Sequence, residues 1–170
     1  CIRDSLYINR TSVGQAFRRV SRYCGFDEIE AGKTMGLSAY GSGDINLFNE
    51  EYGHSLCSTQ LRPEGNSTAY VGPKLPTEDL AYNLQKSAER HTLFMIKKAV
   101  ELTKKKNVCV SGGFFLNCVS NYSILKNTDV NLYVDPIAYD GGIAIGSALL
   151  EYYEHFCDRP KPIRLSTVLA

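Results

Sequence analysis

From Thr77 onward the chain alternates between helical and strand-like periodicity, and that alternation restricts the fold more than any other feature. Ala81, Leu84, Ala88, Met95, Ala99 and Leu102 recur at helical spacing and describe one long amphipathic helix to about Lys106. Thr77 can serve as its N-cap, with Glu78 and Asp79 in the first turn, where negative charge meets the positive end of the dipole. The apolar run Val108 to Val110 then reads as a buried strand. A helix through "LNCVSNYSILKN", a strand "VNLYVD" and a last helix "GIAIGSALLEYYEHF" follow. Helix, strand, helix, strand, helix with short connections predicts an α/β layered domain with at least some parallel pairing.

The first part of the chain is less regular. "SVGQAFRRVSRYCGF" places Val13, Ala16, Phe17, Val20 and Cys24 on one helical face with the arginines opposite, and Gly25 stands where a helix commonly stops. "EAGKTMGLSAYGSGD" reads as a short helix ending in a loop. Residues 44 to 76 carry no clear period; "HSLCSTQL" within them can be a strand between turn signals. These features predict one α/β unit over residues 1–157 and a tail or linker over 158–170, the whole being a fragment of a longer protein.

A net charge of +1, with 44% hydrophobic and 22% charged residues, gives no electrostatic reason to expect nucleic acid or an anionic membrane as partner. The basic run "KKAVELTKKK" falls late in the long helix, where cations suit the dipole, and reads as a solvated face rather than a phosphate patch. Six cysteines show no CxxC pair and no metal-like spacing, so reduced thiols in a cytoplasmic protein are expected, with Cys109 and Cys118 as small buried hydrophobes. No apolar stretch is long enough to span a bilayer.

Two glycine pairs stand where strands lead into helices, the place where ligands gather in open α/β sheets. Gly112 and Gly113 follow the first strand, and Asn117 and Asn121 share a face of the next helix. Backbone without a Cβ lets a flat or phosphorylated ligand approach closely, and an amide can bridge hydroxyls or a base edge, so a nucleotide is a reasonable guest. A tight strand-to-helix turn needs the same glycines and no ligand. Asp140 precedes Gly141 and Gly142 in the second cluster, either as an N-cap carboxylate or as a ligand to metal or phosphate. The small residues Ala144, Gly146 and Ala148 suit close packing of the last helix on the sheet.

Taken together, "SVGQAFRRVSRYCGF", "EAGKTMGLSAYG", "VCVSGGFFLNCVSN" and "VDPIAYDGGIAIGSALL" resemble, in that order, the second lobe of the O-carbamoyltransferases of nodulation-factor and antibiotic biosynthesis. Those are relatives of the universal tRNA threonylcarbamoyl-transfer protein, within the actin, sugar-kinase and heat-shock ATPase superfamily. The resemblance covers most of the chain, with residues 44 to 76 carrying little of it. It implies a ribonuclease-H-like lobe that binds ATP or carbamoyl-adenylate and works with a first lobe and a carbamoyl-adenylate-forming domain. Carbamoyl phosphate and a hydroxyl acceptor are the implied substrates. Gly112 and Gly113 would form the adenosine-side turn, Asn117 and Asn121 would face the nucleotide, and Gly25 would let backbone pass near the ribose.

Lys33 is the implied catalytic cation, stabilising charge at the transferred group, although a surface lysine without a partner explains it equally simply. Asp140 resembles the aspartate that completes an iron-like divalent metal site with an HxxxH pair. His54, His91 and His155 are scattered, so the site is incomplete here; His91 reads as a core or boundary residue and His155 as a cation ending the last helix. Arg10 and Thr11 stand where the tRNA-modifying relatives carry an acidic residue, which favours the small-molecule branch. A tRNA threonylcarbamoyl-transfer protein and a non-catalytic nucleotide-binding lobe are the alternatives. One lobe offers half a cleft, so activity is expected of the parent, and the cleft face should carry exposed apolar surface.

Overall fold

The computed structural model describes residues 12–48, 70 and 72–155. Ser12, in extended backbone, accepts the Gln15 N–H on its hydroxyl and caps the first helix, α1 (Val13–Tyr23). Ala16, Phe17 and Val20 form its buried stripe, as their spacing predicts. Arg19 departs from that scheme: expected among outward-facing arginines, it is buried. Past the C-cap at Cys24, Gly25 takes φ +85°. There the Phe26 N–H reaches the Ser21 carbonyl and the Gly25 N–H that of Arg22, the doubled bonds of a Schellman stop.

α2 (Ala31–Leu37) runs into a 3-10 turn, Ser38–Tyr40, and then into an extended segment, as expected for a short helix ending in a loop. A buried hydroxyl pair joins it to α1. Ser21 donates to the Phe17 carbonyl at 2.8 Å, so the 2.6 Å contact with Thr34 has Thr34 donating.

α3 (Thr77–Thr103) is the long helix, and it differs from its sequence reading at both ends. Pro76 holds the cap position with φ −50°, and Thr77 is the first helical residue. Pro76 has no N–H to satisfy, and its carbonyl accepts the first helical bond from Leu80. The helix stops short of Lys106, with Lys104 in the left-handed region. Leu80, Ala81, Leu84 and Ala88 are fully buried, whereas Met95 is only half-buried and Ala99 and Leu102 are exposed. Burying a leucine such as Leu84 stabilises by about 1.5–3 kcal/mol, so the first half of the helix holds most of the packing.

α4 (Cys118–Asn127) completes this unit, which comprises Cys1–Lys105 and Asn117–Asp129. Ile124 and Ser120 are its buried residues. Cys118 is exposed, against the expectation of a buried hydrophobe, because it opens the helix on the side away from those two.

The second unit comprises Lys106–Leu116 and Val130–Ala170. β1 (Asn107–Val110) and β2 (Asn131–Val134) pair in parallel, Asn107 opposite Asn131 and Val110 opposite Val134. This is a mixed α/β arrangement with a small parallel sheet. β1 is not the fully buried strand its apolar run suggests: Val110 is buried, but Cys109 is exposed. A pair of strands leaves alternate side chains outward, and Cys109 falls on the open face. α5 (Gly142–His155) has no buried residue, so Ala144, Gly146 and Ala148 do not form the close packing expected of them. His155 ends it, 3.5 Å from Glu151 one turn back. Among the described residues, no helix is long and apolar enough to cross a membrane. "HSLCSTQL", His54, Arg10, Thr11 and the tail 158–170 lie outside the described residues.

Candidate functional site

In the second unit both glycine turns leave the same end of the parallel pair, since Val110 and Val134 stand in register at the carboxyl ends of their strands. The Asp135 N–H donates to the Val110 carbonyl at 3.1 Å and the Ser111 hydroxyl to the Asp135 carboxylate at 3.4 Å. Asp135 also accepts the Ile137 N–H at 2.9 Å, closing the loop after β2. Sequence reading passed over Ser111 and Asp135. The only signal for them was position, each being the first residue after a strand.

Gly112 takes φ +104°, where a side chain would be strained, and accepts the Phe115 N–H to start the 3-10 turn Gly113–Leu116. A Cβ built on Gly112 or Gly113 meets nothing within 4 Å, so backbone there borders open space. Asp140 is exposed. Its backbone carbonyl accepts the Ile143 N–H at 3.2 Å, and its carboxylate makes no hydrogen bond or ion pair among the described residues. The helix begins at Gly142, so the side chain of Asp140 is not its N-cap.

Asn117 and Asn121 belong to the first unit. Asn117 is the N-cap of α4: its Oδ1 accepts the Ser120 N–H at 3.0 Å, and its carbonyl accepts the Asn121 N–H at 3.1 Å. Its amide also exchanges hydrogen bonds with Gln85 on α3, Nδ2 donating to Oε1 at 2.8 Å. The two asparagines are thus one turn apart, with Asn117 just outside the helix.

Lys33, in the first turn of α2, has partners: it pairs with Glu30 and lies over the Phe26 ring, 5.9 Å from its centroid. The Lys33 hydrogen bond, helped by the Asp27 N–H, holds the Glu30 carboxyl below its ordinary range. Beside it, Arg22 and Arg18 both donate to Glu28 and do the same there. Cys24 lies 3.8 Å from the Thr77 carbonyl, and burial pushes its thiol up, with Glu78 adding to the effect. A raised thiol carries less thiolate at neutral pH and is the weaker nucleophile for it.

The described residues contain no group of three His, Cys, Asp or Glu side chains that could hold a metal ion. Asp140 thus offers one exposed carboxylate, whereas a divalent cation needs several converging oxygen or nitrogen ligands.

The fold and these turns define an α/β protein with backbone-lined glycine loops at the carboxyl ends of parallel strands. The chain belongs to the carbamoyltransferase family, whose Carbamoyltransferase N-terminus model matches residues 2–149. It is 27% identical over 160 residues to nodulation protein NolNO of Sinorhizobium fredii, covering 82% of this chain and 22% of that protein. It is 30% identical over 168 residues to nodulation protein NolO of Bradyrhizobium diazoefficiens, covering 89% and 30%. An uncharacterized protein of Synechocystis is 33% identical over 172 residues, covering 85% and 28%. The chain therefore spans less than a third of the length of these relatives.

Proposed function

We propose that the chain is a ribonuclease-H-like, nucleotide-binding lobe of an ATP-dependent O-carbamoyltransferase, which moves a carbamoyl group from carbamoyl-adenylate to a substrate hydroxyl. The family match across residues 2–149 carries this reading, since it takes in α2 and both glycine turns. In the proposed reaction the acceptor oxygen forms a bond to the carbamoyl carbon. The bond from that carbon to the adenylate phosphate oxygen breaks, AMP leaves, and the hydroxyl proton passes to solvent or a base.

Each residue has a part in this reading. Gly112 and Gly113 present backbone to the adenylate, a role supported by the open space around them. Asn117 and Asn121 offer amides to it from the start of α4, and Gly25 lets backbone pass near the ribose. Lys33 meets negative charge developing at the transferred group, for which its ammonium must leave Glu30. No step is assigned to a metal. A first lobe and a carbamoyl-adenylate-forming domain would stand elsewhere in the parent, with carbamoyl phosphate as donor. The free thiols of Cys24, Cys109 and Cys118 support a reducing, cytoplasmic setting.

The test uses the full-length parent with ATP and labelled carbamoyl phosphate. AMP formation that depends on carbamoyl phosphate, with label passing to a hydroxyl acceptor, is the expected result. Binding of tRNA without such turnover would replace this reading by threonylcarbamoyl transfer, and ATP binding without turnover by a non-catalytic lobe.

A further inference from the structure

Gln85 lies on α3, far in sequence from the glycine turns, and is buried at 2% exposure. Its carboxamide is the middle of a polar chain with two ends of fixed polarity. At one end the Glu89 carboxylate, paired with Lys86 at 3.1 Å, only accepts, so it takes a hydrogen from Gln85 Nε2 at 3.1 Å. Gln85 therefore turns Oε1 toward Asn117. At the other end the Ser120 backbone N–H only donates, so Asn117 turns Oδ1 to it and Nδ2 to Gln85. The second hydrogen of Gln85 Nε2 is shared between Ser120 Oγ at 3.1 Å and, more weakly, Asn117 Oδ1 at 3.4 Å.

The Asn117 oxygen thus accepts the Ser120 N–H and a share of one Gln85 hydrogen, and one hydrogen of the Asn117 amide is committed to Gln85. One N–H remains to offer. An amide held less firmly could turn either end to a ligand; this one cannot.

We propose that Gln85 is a positioning residue that makes Asn117 a donor-only contact, so that the nucleotide atom it meets is a hydrogen-bond acceptor. A base ring nitrogen and a ribose or phosphate oxygen qualify; an exocyclic amine does not. This rests on the nucleotide-binding reading above and adds the polarity of one contact to it.

The test compares Gln85→Met and Gln85→Glu in the full-length parent, reading thermal unfolding and carbamoyl transfer to a hydroxyl acceptor from carbamoyl-adenylate supplied directly, which bypasses the adenylate-forming domain and its own ATP site. Gln85→Met leaves the Asn117 amide held by the Ser120 N–H alone, and the KM for carbamoyl-adenylate is expected to rise about tenfold, the scale of one hydrogen bond, with kcat nearly unchanged. Gln85→Glu keeps an oxygen for Asn117 Nδ2 and recovers most of that affinity, yet it buries a carboxyl beside Glu89 and is the less stable protein. Opposite rankings of the two variants in stability and in affinity for carbamoyl-adenylate support the proposal. Coincident rankings, or a wild-type KM for carbamoyl-adenylate in Gln85→Met, overturn it. If Gln85→Met does not fold, Asn117→Asp decides: it keeps a capping oxygen and removes the remaining donor, and an unchanged KM overturns the proposal. A wild-type parent that transfers no carbamoyl group from carbamoyl-adenylate overturns the nucleotide reading itself, and this proposal with it.

Discussion

His91 lies half-buried on α3, its ring 5.6 Å from that of Phe48 and tilted by 57°. Burial favours the neutral imidazole and holds its pKa below the ordinary 6.5. The folded state thus binds a proton less readily than the unfolded chain. Its contribution to stability is complete above pH 6.5, declines as pH falls below that value, and is lost once pH passes the folded pKa. Glu28 and Glu30 are held below 4.5 by their basic partners, so their contributions are present above that pH and fade only below it. Between pH 6.5 and 5 the histidine is therefore separable from these carboxylates. His91→Gln is expected to flatten the dependence of the urea midpoint on pH across that window, and an unchanged slope would assign it to other groups.

At the scale of elements, the extended segment after Tyr40 shows how α3 organises chain around itself. Asn83, buried on the helix, accepts the Ile45 N–H at 2.7 Å and donates to the Ser42 and Asp79 carbonyls. Ser87 accepts the Leu47 N–H and donates to the Ile45 carbonyl, while Asp79 accepts from Ser42. These side chains satisfy the backbone as a neighbouring strand would, and Leu47 is fully buried as a result. Gly41 passes so close to the Glu78 carbonyl that a Cβ would overlap it. Asn83→Ala leaves several of these backbone groups unsatisfied and is expected to cost about 1–3 kcal/mol, read as a lower urea midpoint. Asn83→Asp keeps the acceptor for Ile45 and should lose less.

The same segment marks what the sequence makes legible. α1, α2 and α3 follow from helical spacing, and the end of α1 from Gly25, because those signals are local. The segment after Tyr40 carries no period, since its partners are side chains on a helix much further along. Cap preference points to Thr77 as the start of α3, but Pro76, with its fixed φ, holds the cap position with no side-chain hydrogen bond, and Thr77 is the first helical residue. At the candidate site the glycine turns announce themselves, and Gly112 has the backbone only glycine adopts freely. The engagement of Asn117 by Gln85 does not, because two amides distant in sequence give no sign that they meet.

At the scale of the whole chain, the two units differ in what holds them. The first buries Ala16, Phe17, Val20, Leu47, Leu80, Leu84 and Ile124 around α1, α3 and α4. Among described residues the second buries only Val110 and Ala138, and it exposes Leu116, Tyr133, Ile143, Leu150 and Tyr152. A parallel pair of short strands has little stability of its own, and a helix with no buried residue adds little to it. Amides of β1 and β2 should therefore exchange with deuterium well before those of Leu80–Ala88 in the isolated chain. If the proposed first lobe covers that apolar surface in the parent, protection of β1 and β2 should rise there toward that of α3. Equal protection of both units in the isolated chain would mean that the strands are held by contacts other than those described. Unchanged exchange of β1 and β2 in the parent would mean that the exposed side chains of this unit face solvent there too.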